Sequence, residues 1–280
     1  MRPRSSAALR VVAVSALLIA VAPAIIEAVY VAPTAVFMDD RSDAAEVTIG
    51  NSGDTPEEAT VELKFGFPDA DSAGTPFVRI VDDPGPEYPS AADWIRAYPQ
   101  RVELGPHTQQ VVRLLARPPA DLPDGEYWTR LIVTGRGASI PVLGADSGLR
   151  AGVNLVIRLV ASVTYRKGKV WTGVSVRDLG AEADGDSLTV WAHLVRQGNA
   201  AYLGRADFDL VSTRDSVVRH WASALAVYVP MRRRFAFALD SVPPGDYRVR
   251  VRLRTERPDL PADRVLQAPA VADSVAVRID

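Results

Sequence analysis

Three histidines, His107, His193 and His220, are the side chains best suited to proton transfer or metal binding near neutral pH. They lie far apart and form neither a His-x-His nor a His-Glu-x-x-His pattern, so they read as surface imidazoles. A serine nucleophile would call for a Gly-x-Ser-x-Gly elbow, and a phosphate site for a glycine-rich loop. Neither occurs, and Gly135-Arg136-Gly137 is long enough only for a turn. Asp39-Asp40 with Asp43, and Asp82-Asp83, carry the oxygens that Ca²⁺ takes but lack the ordered alternation of a calcium loop. Trp94, Trp128 and Trp221 have rings that either stack on sugars or fill a core, and Arg232-Arg233-Arg234 reads as one solvated turn. No catalytic set emerges and no cofactor or metal is implied. The chain reads as a non-enzyme.

What remains is binding through the fold itself. Short blocks rich in β-branched and aromatic residues alternate with period two and are bounded by Gly, Pro, Asn and Asp, the pattern of half-buried strands. In the first half they cover 29–37, 45–49, 59–67, 77–81, 109–115, 127–133 and 153–163. In the second half they cover 169–176, 187–196, 206–211, 223–229, 234–238, 247–254 and 274–279. Helical signal is confined to 90–96, where Ser90 suits an N-cap and Pro99 a stop, so about two turns are expected there. The fold class is all-β, with two tandem immunoglobulin-like β-sandwich domains.

An internal echo supports the repeat. Leu122-Pro123-Asp124-Gly125-Glu126-Tyr127-Trp128-Thr129-Arg130-Leu131 matches Val242-Pro243-Pro244-Gly245-Asp246-Tyr247-Arg248-Val249-Arg250-Val251 in Pro-x-Gly-acid-Tyr-x-x-Arg. A corner entering a sandwich strand needs a backbone free to take positive φ, which Gly provides. The tyrosine hydroxyl is then expected to bond backbone near the corner, and each copy to open the penultimate strand of its domain.

Arg2, Arg4 and Arg10 precede an apolar run over 11–22 that closes on Ala22-Pro23-Ala24, the layout of a cleaved signal peptide. The run is shorter than the roughly 20 residues of a membrane span, so no stable span is expected after cleavage. The expected division is a signal peptide at 1–24, an immunoglobulin-like domain at 25–164 and a second sandwich at 165–280, hinged at Tyr165-Arg166-Lys167-Gly168-Lys169. Export places the chain in the periplasm, with the cell surface or secretion as the alternative. With no cysteine, stability must come from apolar burial. Removing residues 1–24 takes away three arginines and no acid, moving the formal charge from −2 to −5, which speaks against nucleic acid as a partner.

With the strands placed, the first half resembles the PapD-like periplasmic chaperones of pilus assembly, as a divergent member. Ala32-Pro33-Thr34-Ala35-Val36-Phe37 is similar to that family's first strand, and 45–49 with Asn51 to its second strand and turn. Tyr98-Pro99-Gln100-Arg101-Val102-Glu103-Leu104-Gly105-Pro106, then Gln109 and Val111-Val112-Arg113-Leu114, is similar to its proline-to-arginine stretch, and 149–159 to its last strand. The resemblance implies a non-catalytic chaperone that binds exported, pilin-like subunits by β-strand addition, without a small-molecule cofactor. An unpaired strand edge binds another backbone, and side chains of one parity set the register. Leu149, Ala151, Val153, Leu155, Ile157 and Leu159 share one parity and Arg150, Asn154 and Arg158 the other; the apolar set either enters a partner's groove or packs into its own domain.

The family also implies two basic residues that hold the partner's terminal carboxylate. Arg158 falls at the second of these positions. The first falls on the uncharged Thr34, which argues either against the family's usual subunit docking or for another cation, such as Arg166 or Lys167, in that role. The other reading of the whole chain is a tandem immunoglobulin-like surface or secreted protein with a structural or adhesive role.

Overall fold

The structure, a computed structural model, describes residues 29–142 and 151–280, with residues 136–142 and 151–155 described by backbone alone. The expected signal peptide and Leu149 lie outside the described residues. Ten strands make up the first part: β1 Val29–Ala32, β2 Ala35–Asp39, β3 Ala44–Asn51, β4 Glu57–Ala70, β5 Pro76–Val81, β6 Ile95–Tyr98, β7 Arg101–Leu104, β8 Gln109–Ala116, β9 Gly125–Val142 and β10 Ala151–Lys167. Seven make up the second: β11 Thr172–Asp184, β12 Ser187–Gly198, β13 Tyr202–Ser212, β14 Val217–Val227, β15 Met231–Ala238, β16 Gly245–Arg254 and β17 Val271–Ile279, with a 3-10 turn at Ala262–Arg264 before the last.

Alternation along each strand produces two faces. On β8 Val112, Leu114 and Ala116 turn inward; on β16 Val249, Val251 and Leu253 do, while Arg248, Arg250 and Arg252 face water. Sheet β1-β3-β8-β6 therefore packs on sheet β2-β10-β9-β4-β5, to which β7 adds by pairing with β4, and β11-β12-β15 packs on β14-β13-β16-β17. Met38, Ile49, Leu114, Leu131 and Tyr165 fill the first core; Leu188, Val190, Phe208, Leu210 and Val251 fill the second. The fold is two immunoglobulin-like sandwiches.

The first block of sequence, read as one strand over 29–37, is two strands in different sheets. Pro33 has no N–H for a ladder, and the chain changes sheets there. β1 runs antiparallel to β3, whereas β2 runs parallel to β10, pairing Ala35 with Ser162 through Asp39 with Arg166.

Both tyrosine corners form. Tyr127 donates to the Pro123 carbonyl at 2.9 Å and Tyr247 to the Pro243 carbonyl at 2.8 Å, and β9 and β16 are the penultimate strands. The expected glycine geometry holds at one copy: Gly245 has φ 156° and Gly125 is not at positive φ. The expected helix over 90–96 does not form. Ser90 and Ala91 are tied to β9, with the Ala91 N–H donating to the Trp128 carbonyl at 2.9 Å, and a single turn closes from Ile95 N–H to the Ala91 carbonyl at 3.0 Å. Burying Ile95 and Ala97 and pairing β6 with β8 outweigh the weak local helix preference.

β10 continues to Lys167, and the chain crosses to the second sandwich through residues 168–171, with Gly168 at φ 57°. Asn199 stitches this crossing together. Its amide donates to the carbonyls of Asp124 and Lys169 at 3.1 and 3.0 Å, its side-chain oxygen accepts from Trp171 N–H at 2.9 Å, and its own carbonyl accepts from Glu126 N–H at 2.9 Å.

The paired corners yield a direct expectation. Tyr127→Phe and Tyr247→Phe each remove one hydrogen bond from a partly exposed corner and should each cost about 1 kcal/mol. Urea unfolding checks this: the midpoint falls while the slope stays unchanged.

Candidate functional site

A strand has two edges, and those of β10 are not treated alike. One pairs with β9 along the whole length, from Ala151 opposite Val142 to Lys167 opposite Gly125. The other pairs with β2 only from Ser162 onward. Upstream of Ser162, residues 151–161 have no strand on that edge among the described residues. β9 in turn pairs with β4 only between Gly135 and Arg130, so residues 136–142 and 151–156 make a two-stranded arm beyond the sandwich. Its register shifts between Asn154 and Val156, where β9 carries the extra residue.

The faces of β10 follow from burial. Ala161, Val163 and Tyr165 are buried in the first core, Leu159 packs against it and Ile157 is half-buried. Val156, Arg158 and Val160 turn outward, with Val156 62% exposed. The parity that contains Ile157 and Leu159 therefore faces inward within the sandwich. Of the other candidate residues, Ala151, Val153 and Leu155 lie on the backbone of the arm.

Thr34 and Arg158 are not brought together. The Thr34 carbonyl accepts from Ser162 N–H at 2.9 Å, and the parallel ladder that begins there pairs Ser162 with Ala35, so the part of β10 beside Thr34 is neutral. Arg158 lies four residues earlier, roughly 13 Å along a strand. It is exposed and makes no hydrogen bond or ion pair with another described residue; the Asp82 carboxyl is held low by its hydrogen bond from Lys64, to which the charge of Arg158 adds last. Both substitute cations are already engaged: Arg166 with Glu126 at 2.9 Å and Lys167 with Asp40 at 3.0 Å.

The outer face of the β10 sheet carries the contact between the sandwiches. Phe65, Phe67 and Trp128 meet Ala201, Leu203 and Tyr228 in a third apolar cluster, with Trp128 edge-on to Tyr228 at 4.7 Å. At its centre the Glu126 carboxylate is buried. One oxygen accepts from Trp128 Nε1 at 2.9 Å and from Ala201 N–H at 3.1 Å, and the other from Arg166 Nε at 2.9 Å. Arg196 extends over the Trp128 ring and Arg166 over Phe37. A further ion pair joins Asp39 on β2 to Arg264 at 3.0 Å. Sequence reasoning missed Glu126. The echo put an acid at this place in both copies, yet Asp246 is exposed beside Arg278, and only the neighbouring sandwich distinguishes the two.

Asp40 and Tyr165 form a second polar group where β10 ends. The hydrogen bonds from Lys167 and then Tyr165 hold the Asp40 carboxyl below its ordinary 3.8. Burial, followed by Asp40 itself, pushes the Tyr165 phenol well above the usual tyrosine range.

Other candidate chemistry resolves into structure. Trp94 packs edge-on to Tyr127 and Tyr165, Trp128 is buried, and Trp221 stacks on Phe237 at 4.8 Å. His107, His193 and His220 sit near Asp54, Asp178 and Asp209 at 2.7, 3.8 and 2.7 Å, all at the surface. Among the described residues no group of three or more His, Cys, Asp or Glu is placed to hold a metal ion, and no helix is long and apolar enough to cross a membrane.

No family model and no curated protein matches the chain. Solved structures similar to it include a chain of the CsuC-CsuE chaperone-tip adhesion subunit pre-assembly complex from archaic chaperone-usher Csu pili of Acinetobacter baumannii. That match has 15% identity over 75% of this chain and 90% of that one, with a TM-score of 0.41. The YadV chaperone matches at 11% identity over 90% of this chain and 99% of that one, TM-score 0.44. The periplasmic chaperone SfaE matches at 11% over 88% and 98%, TM-score 0.38. At these scores the likeness carries no weight for function, which must be argued from this chain's own geometry.

Two outcomes follow for the contact and its flank. Glu126→Ala leaves Arg166 without its partner and strands two N–H donors, so it should cost about 3–5 kcal/mol in urea unfolding. Adding Arg166→Met should restore part of that loss. Asp40 has a depressed folded pKa, so its contribution is full above the unfolded value of 3.8 and is lost as pH falls through the folded one. The thermal midpoint should therefore drop between about pH 5 and pH 2, and drop less in Asp40→Asn, which has no proton to gain.

Proposed function

We propose that this chain is a non-catalytic, periplasmic chaperone that captures exported, pilin-like subunits by adding its own strand to theirs. The observation that carries the reading is the one-sided pairing of β10: upstream of Ser162, one edge has no strand partner among the described residues. Backbone donors and acceptors on such an edge are a template for another chain. Ala151, Val153 and Leu155, with Leu149 before them, are the side chains assigned to the partner's groove. Ile157 is half-buried and Leu159 packs against the chain's own core, so these two mark where the strand leaves the sandwich.

Arg158 is assigned the partner's carboxylate. Arg166 and Lys167 are held in ion pairs, whereas Arg158 is exposed on the same strand and has no competing partner among the described residues. A guanidinium can grip a carboxylate through two parallel hydrogen bonds. Without a cation at Thr34 the grip is single, so affinity must come mainly from the paired strand.

The test is capture from the periplasm of the producing cell, with the tagged full chain as bait. It should recover an exported subunit that is unstable alone. Val153→Asp with Leu155→Asp should lower recovery at least about tenfold by placing charge in an apolar groove, and Arg158→Ala should lower it with the thermal midpoint unchanged. Recovery unaffected by either change would overturn the assignment, and recovery of the bait alone would favour the adhesive or structural reading.

A further inference from the structure

The sandwiches meet at a second place, remote from Glu126. The β4–β5 hairpin reaches the edge of β15, where the Gly74 carbonyl accepts from Arg234 N–H at 2.9 Å. The tip is held in shape by Asp71, whose carboxylate accepts from the N–H groups of Ala73 and Thr75 at 2.9 and 2.8 Å. Glycine is required at its apex. Gly74 has φ 81°, and a Cβ there would lie 2.8 Å from Arg234 N and 3.3 Å from the Arg232 carbonyl.

Between this tip and the outer face of sheet β11-β12-β15 lies a cavity of about 310 Å³, at the small end of the roughly 300–1,000 Å³ typical of small-molecule sites. Its wall is the indole of Trp191. That ring lies flat over Gly180, where a Cβ would come within 2.3 Å of indole Cε2, and the pairing of β11 with β12 shifts register just before Gly180. Glu182 and Asp184 line one side of the cavity, Arg232 and Arg234 the other. Arg232 extends over the Trp191 ring, and Arg234 reaches Thr189 Oγ1 at 3.3 Å. Among the described residues the indole N–H, the two carboxylates and the Arg232 guanidinium make no side-chain hydrogen bond or ion pair.

We infer that this cavity binds a neutral saccharide of one or two rings. Two guanidiniums and two carboxylates leave the site without net charge, so nothing in it selects an ion. A sugar ring presents C–H groups on its face and hydroxyls around its rim. The face suits the outward side of the flat, apolar indole once the exposed Arg232 side chain, which lies over the ring, swings to the rim, and each hydroxyl can then donate to Glu182 or Asp184 and accept from Arg232 or Trp191 N–H. Trp94, Trp128 and Trp221 have no such opening, since packing covers their rings. The site involves both sandwiches, since Ser72 and Gly74 close it from the hairpin side. It is separate from β10 and independent of strand capture.

Saturation-transfer difference NMR on the full chain with cellobiose, maltose and diacetylchitobiose tests the inference. Transfer to the ring protons of at least one disaccharide is expected, with loss of the signal in Trp191→Ala. Because removing Trp191 uncovers Gly180, a second variant, Glu182→Ala with Asp184→Ala, changes only exposed side chains and should weaken binding roughly tenfold or more. No transfer to any of the three sugars, or transfer that survives the second variant undiminished, overturns the inference.

Discussion

Every backbone N–H and C=O on a strand must find a partner or meet water, and in β10 that demand is met unevenly. β9 pairs with one edge from Ala151 to Lys167 apart from the register shift at Leu155, while β2 pairs with the other only from Ser162 onward. The division traces back to Pro33. A first strand that stayed in one sheet could cover either β3 or β10, but a chain that changes sheets at a residue without an N–H gives β1 to the one and β2 to the other. What β2 does not reach has no strand partner among the described residues, and the proposed strand capture depends on that remainder.

The same strand ties the two sandwiches together. Within the last three residues of β10, Tyr165 enters the core, Arg166 meets Glu126 across the sandwich contact and Lys167 meets Asp40. Glu126 is costly to bury, and its burial is tolerated because three donors converge on it from two sandwiches and from its own strand neighbour. Asn199 closes the crossing beside it, and the β4–β5 hairpin braces a second point on β15. The arm projects from a sandwich that meets the second domain at both of these places, and residues of both sandwiches line the cavity.

Much of this was legible in the residues. Period-two alternation marked the strands, because a buried face and a wet face impose it wherever a sheet has one side in the core. The Tyr127 and Tyr247 corners were legible because a turn, a strand start and a hydroxyl partner four residues back all lie within one short segment. Where contacts were distant, the reading failed. Residues 90–96 have the local signals of a helix, but Ala91 bonds to Trp128 and Ile95 pairs with Ala116, neither of which a local signal reports. Glu126 and Asp246 are equivalent in sequence, and only one has a second sandwich laid over it.

By itself, then, the sequence determined the all-β class, the two corners and the apolar alternation of the long last strand, since each depends on neighbours a few residues away. Tertiary structure alone decided which edge of that strand has no strand partner among the described residues, that Ser162 rather than Arg158 bonds to the Thr34 backbone, and which tryptophan lines a polar cavity. These are matters of which segments meet across long separations. A strand has the same residues whether its edge is covered or bare, and a charge has the same sequence position whether it lies in water or under another domain.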